Sequence, residues 1–354
     1  MENMGVNTKN ILILGNLGYV GPELTKLLRT QYPNYTLNGF DCGYFSKFHT
    51  TELFSSDNLL DIQIYGDVRK AEALDLSIYD SIIALAAISN DPIGNKFEAL
   101  TIDVNCDSLV KIAENAKKKG VKSFVFASSC SVYGFAEEGD RTERSEVNPL
   151  TAYAKSKVKA EIELEKIASP DFNVTCLRFA TACGMSDRLR LDLVLNDFVA
   201  CAIANNHIEI LSDGLPWRPL INVRDMGRAI DWAIHRENKE SYVLVNAGSN
   251  EWNYQVKELA EAVKEIFTGI TISINENAAP DKRSYRVNFD EFKRIAPNHQ
   301  PIHSLKQTII ELKEGLEKIN FADKNFRNSN LIRLNIINQL VEQGIVDKDL
   351  YIKK

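Results

Sequence analysis

The chain has 354 residues, 44% of them hydrophobic and 25% charged, with a formal net charge of −6. That is the balance of a soluble globular protein long enough for two domains, and its acidic sign argues against a nucleic acid or an anionic membrane as partner. Six cysteines (42, 106, 130, 176, 183 and 201) form no Cys-x-x-Cys pair, and the N-terminus MENMGVNTKN is neither a signal peptide nor a span, so reduced core thiols in a cytoplasmic protein are expected.

Residues 10–14 (NILIL) are a continuous apolar run of the kind buried in a parallel sheet. The run leads into Gly15-Asn-Leu17-Gly18-Tyr19-Val20-Gly21 and then Pro22, a residue suited to the first turn of a helix. Strand, glycine turn and helix N-terminus together bind a diphosphate through backbone N–H groups. The spacing G-x-x-G-x-x-G is a variant of the dinucleotide turn. Gly15, Leu17, Gly18, Tyr19, Val20 and Gly21 are therefore cofactor candidates, although such glycines equally serve tight strand–helix packing.

The next strand, 35–40, ends at Asp41, twenty residues beyond Gly21. A carboxylate there meets the adenosine ribose hydroxyls and repels a 2′-phosphate, which favours NAD over NADP. Strand 61–65 ends in Gly66-Asp67-Val68, where Asp67 either bonds an adenine amino group or caps the following helix. Strand 80–85 ends at Leu85 and is followed by Ala86-Ala87-Ile88, where small residues let a ribose or nicotinamide approach the backbone.

Residues 97–119 read as one long helix carrying Asn105, with Gly120 as its C-cap. Strand 121–127 ends in the hydroxyls of Ser128 and Ser129, and 151–167 is a helix with no internal Gly or Pro. Tyr153 and Lys157 stand four apart and share a face of it. A phenol titrates near 10, and a neighbouring ammonium lowers that value, which is the tuning a general acid/base needs. Ser129 is placed to orient a substrate alcohol against that phenol. Tyr-x-x-x-Lys also arises by chance, so its weight comes from the elements before it.

After strand 174–179 the strand–helix rhythm breaks. A loop at 181–191 carries Gly184, Arg188 and Arg190, helix 192–204 follows, and short strands fall at 208–211 and 220–223. Helix 225–236 and strand 241–246 return to the first domain. The expected fold class is α/β, a doubly wound parallel (Rossmann) sheet with a smaller α+β C-terminal substrate domain. The expected division is 1–180 plus about 224–250 for NAD binding, and about 181–223 plus 251–354 for substrate.

Together these landmarks resemble the extended short-chain dehydrogenase/reductase family of nucleotide-sugar epimerases and dehydratases. The likeness rests on Gly15-x-x-Gly18-x-x-Gly21, Asp41, Gly66-Asp67-Val68, Leu85-Ala86-Ala87, Asn105, Ser128-Ser129-Cys-Ser-Val-Tyr-Gly134, Tyr153-x-x-x-Lys157 and Arg218, and runs from Asn10 to about Phe321. It implies that Tyr153 takes a proton from a sugar hydroxyl, usually at C4, while hydride passes to NAD. Ser129 would bond that hydroxyl, and Lys157 would hold the nicotinamide ribose. Arg218 would hold the substrate diphosphate. A second basic contact falls among Lys282, Arg283 and Arg286, with Arg283 the candidate, and Arg188 and Arg190 are weaker ones.

The 4,6-dehydratases of the family carry an Asp-Glu pair directly after the catalytic Thr/Ser, where this chain has Cys130 and Ser131. Dehydration is therefore not expected. A 4-epimerase of a nucleotide-diphosphate sugar is, with a C4 dehydrogenase or 4-ketoreductase as the alternative, because 178–198 and 280–285 also resemble a branch acting on GDP-linked heptoses. The family likeness further implies a homodimer, seamed by helices 97–119 and 151–167 through Leu100, Val104, Val158 and Ile162.

Overall fold

Ile11, Leu12, Ile13 and Leu14 are all fully buried, yet they serve two different cores. Alternation along a strand sends Ile11 and Ile13 to one face and Leu12 and Leu14 to the other. A strand apolar on both sides needs cover on both sides, and that demand dictates the architecture. The computed structural model describes residues 8–50, 55–89, 91–275, 278 and 283–353. Lys282 lies outside them.

The central sheet has seven strands, all parallel. In chain order its first five strands are β1 (Asn10–Leu14), β2 (Thr36–Asp41), β3 (Ile62–Tyr65), β4 (Ser81–Ala84) and β5 (Ser123–Ser129). The spatial order is Tyr242–Ala247, Asn173–Phe179, β5, β4, β1, β2, β3. The chain reverses direction across the sheet between β1 and β4, which places a ligand crevice at their C-terminal ends. Helix α1 (Gly21–Gln31) and helix Val223–His235 cover one face. Helices Ser108–Lys118 and Ala152–Ile167 cover the other.

Residues 97–119 are not one helix. Glu98–Ile102 is α-helical, Asp103–Asp107 is a π-helical turn and Ser108–Lys118 resumes the α-helix. The wide turn aims Asn105 inward, where it bonds both the N–H (2.7 Å) and the C=O (3.0 Å) of Ile88. Those two bonds hold a backbone that no strand pairs, and the helix gives up its regular ladder to make them.

A second hydrophobic core gathers Cys183, Leu195, Val199, Leu220, Leu259, Val263, Ile309 and Leu316, with Tyr19 reaching in from the glycine turn. The loop expected at 181–191 contains a short strand, Thr181–Cys183, parallel to Trp217–Asn222. Further on, helix Arg333–Glu342 and the residues after it pack Ile337, Val346 and Leu350 against Ile93, Tyr44 and Phe45. Among the described residues no helix is long and apolar enough to cross a membrane. All six cysteines are free, and only Cys42 is partly exposed.

Candidate active site

A cavity of about 850 Å³ opens at the C-terminal ends of β1, β2, β4 and β5. The glycine turn forms its floor. Gly15 has φ +83°, and a Cβ there would stand 2.4 Å from the Ala86 nitrogen, so only glycine allows the two loops to cross. Gly18, Tyr19 and Val20 line the cavity, and α1 begins behind them with no side-chain cap. The glycine turn and the start of the helix thus lie beside a space that suits an anion, with the N–H groups of Tyr19 and Val20 nearest to it. Leu17 and Gly21 lie behind this wall. Leu17 is fully buried and gives its N–H to Asp41, while a Cβ on Gly21 would stand 1.9 Å from the Asn16 carbonyl oxygen.

Asp41 ends β2 in the cavity wall and accepts from Leu17 N (3.1 Å) and Gly43 N (2.7 Å). Burial raises its pKa, and those two N–H groups oppose the rise. Asp67 and Val68 line the same end. Asp67 also caps its own turn, accepting from Arg69 N at 2.9 Å, and pairs with the Arg69 guanidinium. Leu85, Ala86 and Ala87 line the cavity above β4. Asn105 is fully buried and acts one layer back, on Ile88 and on Ser156 Oγ (3.1 Å).

The glycine turn, the uncapped helix start, the Asp41 carboxylate and the small residues above β4 fit a dinucleotide with free ribose hydroxyls. The turn would hold its diphosphate, Asp41 the adenosine ribose and Lys157 the nicotinamide ribose.

Helix Ala152–Ile167 carries Tyr153 and Lys157, with Thr151 as N-cap accepting from Ala154 N at 3.2 Å. Ser129, Tyr153 and Lys157 all line the cavity. Lys157 Nζ donates to the Ala127 carbonyl at 2.7 Å and stands 5.5 Å from the centre of the Tyr153 ring. Burial lowers Lys157 to about 8, opposed mainly by Glu161 one turn further along. Ser129 Oγ accepts from Ser131 N at 3.2 Å at the start of the turn Cys130–Tyr133.

Two features were not read from the sequence. Glu161 forms a buried bidentate pair with Arg178 (3.0 and 2.7 Å) and accepts from Ser128 Oγ, and Arg178 reaches on to the Tyr133 hydroxyl at 3.0 Å. The spacing Tyr153, Lys157, Glu161 was the available signal, since it puts all three on one helical face. Ser131 is the second feature. Its Oγ is buried in the cavity wall with no hydrogen-bond partner among the described residues. Cys130 turns into the core instead and bonds the Arg178 carbonyl at 3.1 Å, and burial pushes its thiol well up. Neither position supplies a carboxylate.

At the other end Arg218 and Arg283 line the cavity, Arg218 bonding the Trp217 carbonyl at 2.9 Å. Arg286 pairs with Asp140 at 3.2 Å and covers the Trp217 ring. Arg188 is fully buried in a bidentate pair with Asp57 (2.9 and 2.6 Å), so it serves structure. Arg190 lines the cavity, pairs with Asp192 at 2.8 Å and bonds Ser89 Oγ at 3.0 Å. No metal-ligating cluster occurs among the described residues.

Residues 11–248 match the family model described as the NAD dependent epimerase/dehydratase family. An N-acetyl-alpha-D-glucosaminyl-diphospho-ditrans,octacis-undecaprenol 4-epimerase of Escherichia coli O157:H7 is 31% identical over 154 residues, 43% of this chain and 41% of that protein. The first of these matches thus spans less than half of its relative. A UDP-arabinose 4-epimerase of Arabidopsis thaliana is 24% identical over 291 residues, 75% of this chain and 69% of that protein. The solved structure of MoeE5 in complex with UDP-glucuronic acid and NAD superposes with a TM-score of 0.73 at 21% identity, covering 87% of this chain and 99% of that one. At that identity the likeness shows the fold.

Proposed function

The chain belongs to the NAD dependent epimerase/dehydratase family, and from that premise we propose that it is an NAD-using 4-epimerase of a nucleotide-diphosphate sugar. One observation carries the reading. Ser129, Tyr153 and Lys157 line a single cavity whose wall also holds Asp41 and, elsewhere, Arg218. The 4-epimerases among the relatives support the choice of reaction.

NAD, when bound, supplies a reversible hydride acceptor at the sugar carbon. Tyr153 takes the proton of the C4 hydroxyl and returns it once the sugar presents its other face. The Lys157 ammonium, still largely protonated at neutral pH with a pKa of about 8, holds the phenol acidic from its buried seat. Ser129 orients the hydroxyl, and Arg218 with Arg283 holds the diphosphate. Cys130 and Ser131 offer no carboxylate to eliminate water, which leaves the carbon skeleton oxidised and re-reduced but not dehydrated. We further propose a cytoplasmic homodimer, with Ile162, half-exposed on helix Ala152–Ile167, in the seam.

The test is turnover of a panel of UDP-, GDP- and dTDP-sugars in deuterated buffer, followed by proton NMR. Epimerisation gives the C4 epimer with no solvent deuterium at C4 and no net change in cofactor redox state. Accumulated NADH with a keto product would replace this reading by C4 dehydrogenation, and consumption of NADH by ketone reduction.

A further inference from the structure

Four arginines of the cavity wall are not used by the reading above, and three of them are paired: Arg69 with Asp67, Arg190 with Asp192 and Arg327 with Asp197. Arg333 opens helix Arg333–Glu342, lines the cavity and is only 3% exposed. Among the described residues it donates to the Arg188 carbonyl at 2.8 Å and lies 4.2 Å over the Phe45 ring, with no carboxylate in ion-pair contact. Its neighbours behave differently: Arg188 is paired with Asp57 and Arg190 with Asp192. A guanidinium buried without a counter-charge is costly, and cannot shed its proton at any ordinary pH. Burial and the like charges of Arg190 and Arg188 work against its charged form, opposed by the pull of Asp192 and Asp41. An anion in the cavity relieves that cost.

The segment around Arg333 is fastened over the loop that follows β2. The Leu350 carbonyl accepts from the Tyr44 hydroxyl and from Arg69 Nη2, and the Arg69 guanidinium lies 3.6 Å over the Tyr351 ring. Ile337, Val346 and Leu350 pack on Ile93 beneath it. These contacts tie Arg333 to the end of the cavity that holds Asp41, Tyr44 and Phe45. Arg218, on the strand Trp217–Asn222, belongs to the substrate half.

We propose that Arg333 is a cofactor-binding residue, carried on a C-terminal segment that closes the adenosine end of the cleft, and that it supplies the counter-charge to the dinucleotide diphosphate. The inference rests on the reading of this cavity as an NAD site. A guanidinium fork matches two phosphate oxygens, and its burial makes each such bond stronger than at the surface.

The experiment is calorimetric titration of cofactor-free wild type, Arg333→Gln and Arg333→Lys with NAD, ADP-ribose and UDP. Wild type that binds neither NAD nor ADP-ribose removes the reading of the cavity itself. Given wild-type binding, Arg333→Gln is expected to weaken NAD and ADP-ribose alike, on the order of ten- to hundredfold, and to leave UDP unchanged. Arg333→Lys is expected to recover part of the loss. Unchanged dinucleotide affinity in Arg333→Gln overturns the proposal, and so does a loss confined to UDP. Hydrogen exchange on the wild-type chain is independent of any variant's folding. ADP-ribose is expected to slow exchange across helix Arg333–Glu342, and exchange there that does not respond overturns the assignment.

Discussion

Tyr153 differs from phenylalanine by one oxygen, and that oxygen carries the proposed proton transfer. Tyr153→Phe is expected to slow turnover by roughly 10²–10⁴-fold, the range of positioned acid/base groups, while NAD affinity stays within a few-fold of wild type. Single-turnover kinetics beside a cofactor titration checks both halves. Lys157 gives a prediction of a different kind. Its folded pKa, about 8, lies below the 10.5 of an exposed lysine, so the folded chain releases protons that the unfolded chain keeps. By linkage, wild-type stability rises as pH climbs from about 8 toward 10.5, by at most about 3 kcal/mol from this group. Lys157→Met has no such rise. Cofactor-free Lys157→Met is therefore expected to compare best with wild type near pH 7 and to lose ground above pH 8, as urea unfolding at pH 7 and pH 9.5 would show. A gap between the two that does not change with pH would mean that Lys157 is not desolvated.

Elements differ in how openly the sequence declares them. The run NILIL marks β1 to the residue, because a strand covered on both faces reads as an unbroken apolar run, here Ile11–Leu14 after Asn10 at its edge. Asp41 was legible for a related reason: the sheet sets where β2 stops, and the glycine turn sets what its last residue meets. The helix expected at 97–119 was misread because no propensity records that Asn105 must turn toward Ile88, a backbone seventeen residues earlier. Its π turn answers to a tertiary bond, not a local one. Asn105→Leu keeps the volume and removes the bonds, leaving the Ile88 N–H and C=O unpaired. It should cost about 1–3 kcal/mol in urea unfolding and weaken NAD through the neighbouring Ala86 and Ala87. Stability equal to wild type would show that the π turn holds itself. Arg333 was illegible for a further reason, since its surroundings come from segments near positions 45, 188 and 350 that share no pattern.

At the scale of the whole molecule, the sheet supplies one wall of the cavity and the second core supplies the other, with Tyr19 spanning them. Its hydroxyl bonds the Gly184 carbonyl and accepts from Asn196 at 3.2 Å. Helix Ala152–Ile167 serves the site with Tyr153 and Lys157, while Ile162 on it is half-exposed. If that helix also forms the seam of a homodimer, sedimentation at micromolar concentration should give twice the 39.9 kDa chain mass, and Ile162→Glu should shift the boundary toward the monomer. Wild type sedimenting as a monomer would remove the dimer.

The strap over the adenosine end also has a place in time. Gly15 and Arg333 are 318 positions apart, and a ribosome adding about 5–20 residues per second separates them by roughly 15–60 seconds. Through that interval the glycine turn and Asp41 exist without the groups that close over them. If Arg333 holds the dinucleotide as proposed, a chain stalled before Leu350 reaches Tyr44 would emerge with its sheet formed, its cleft unlatched and its cofactor affinity reduced.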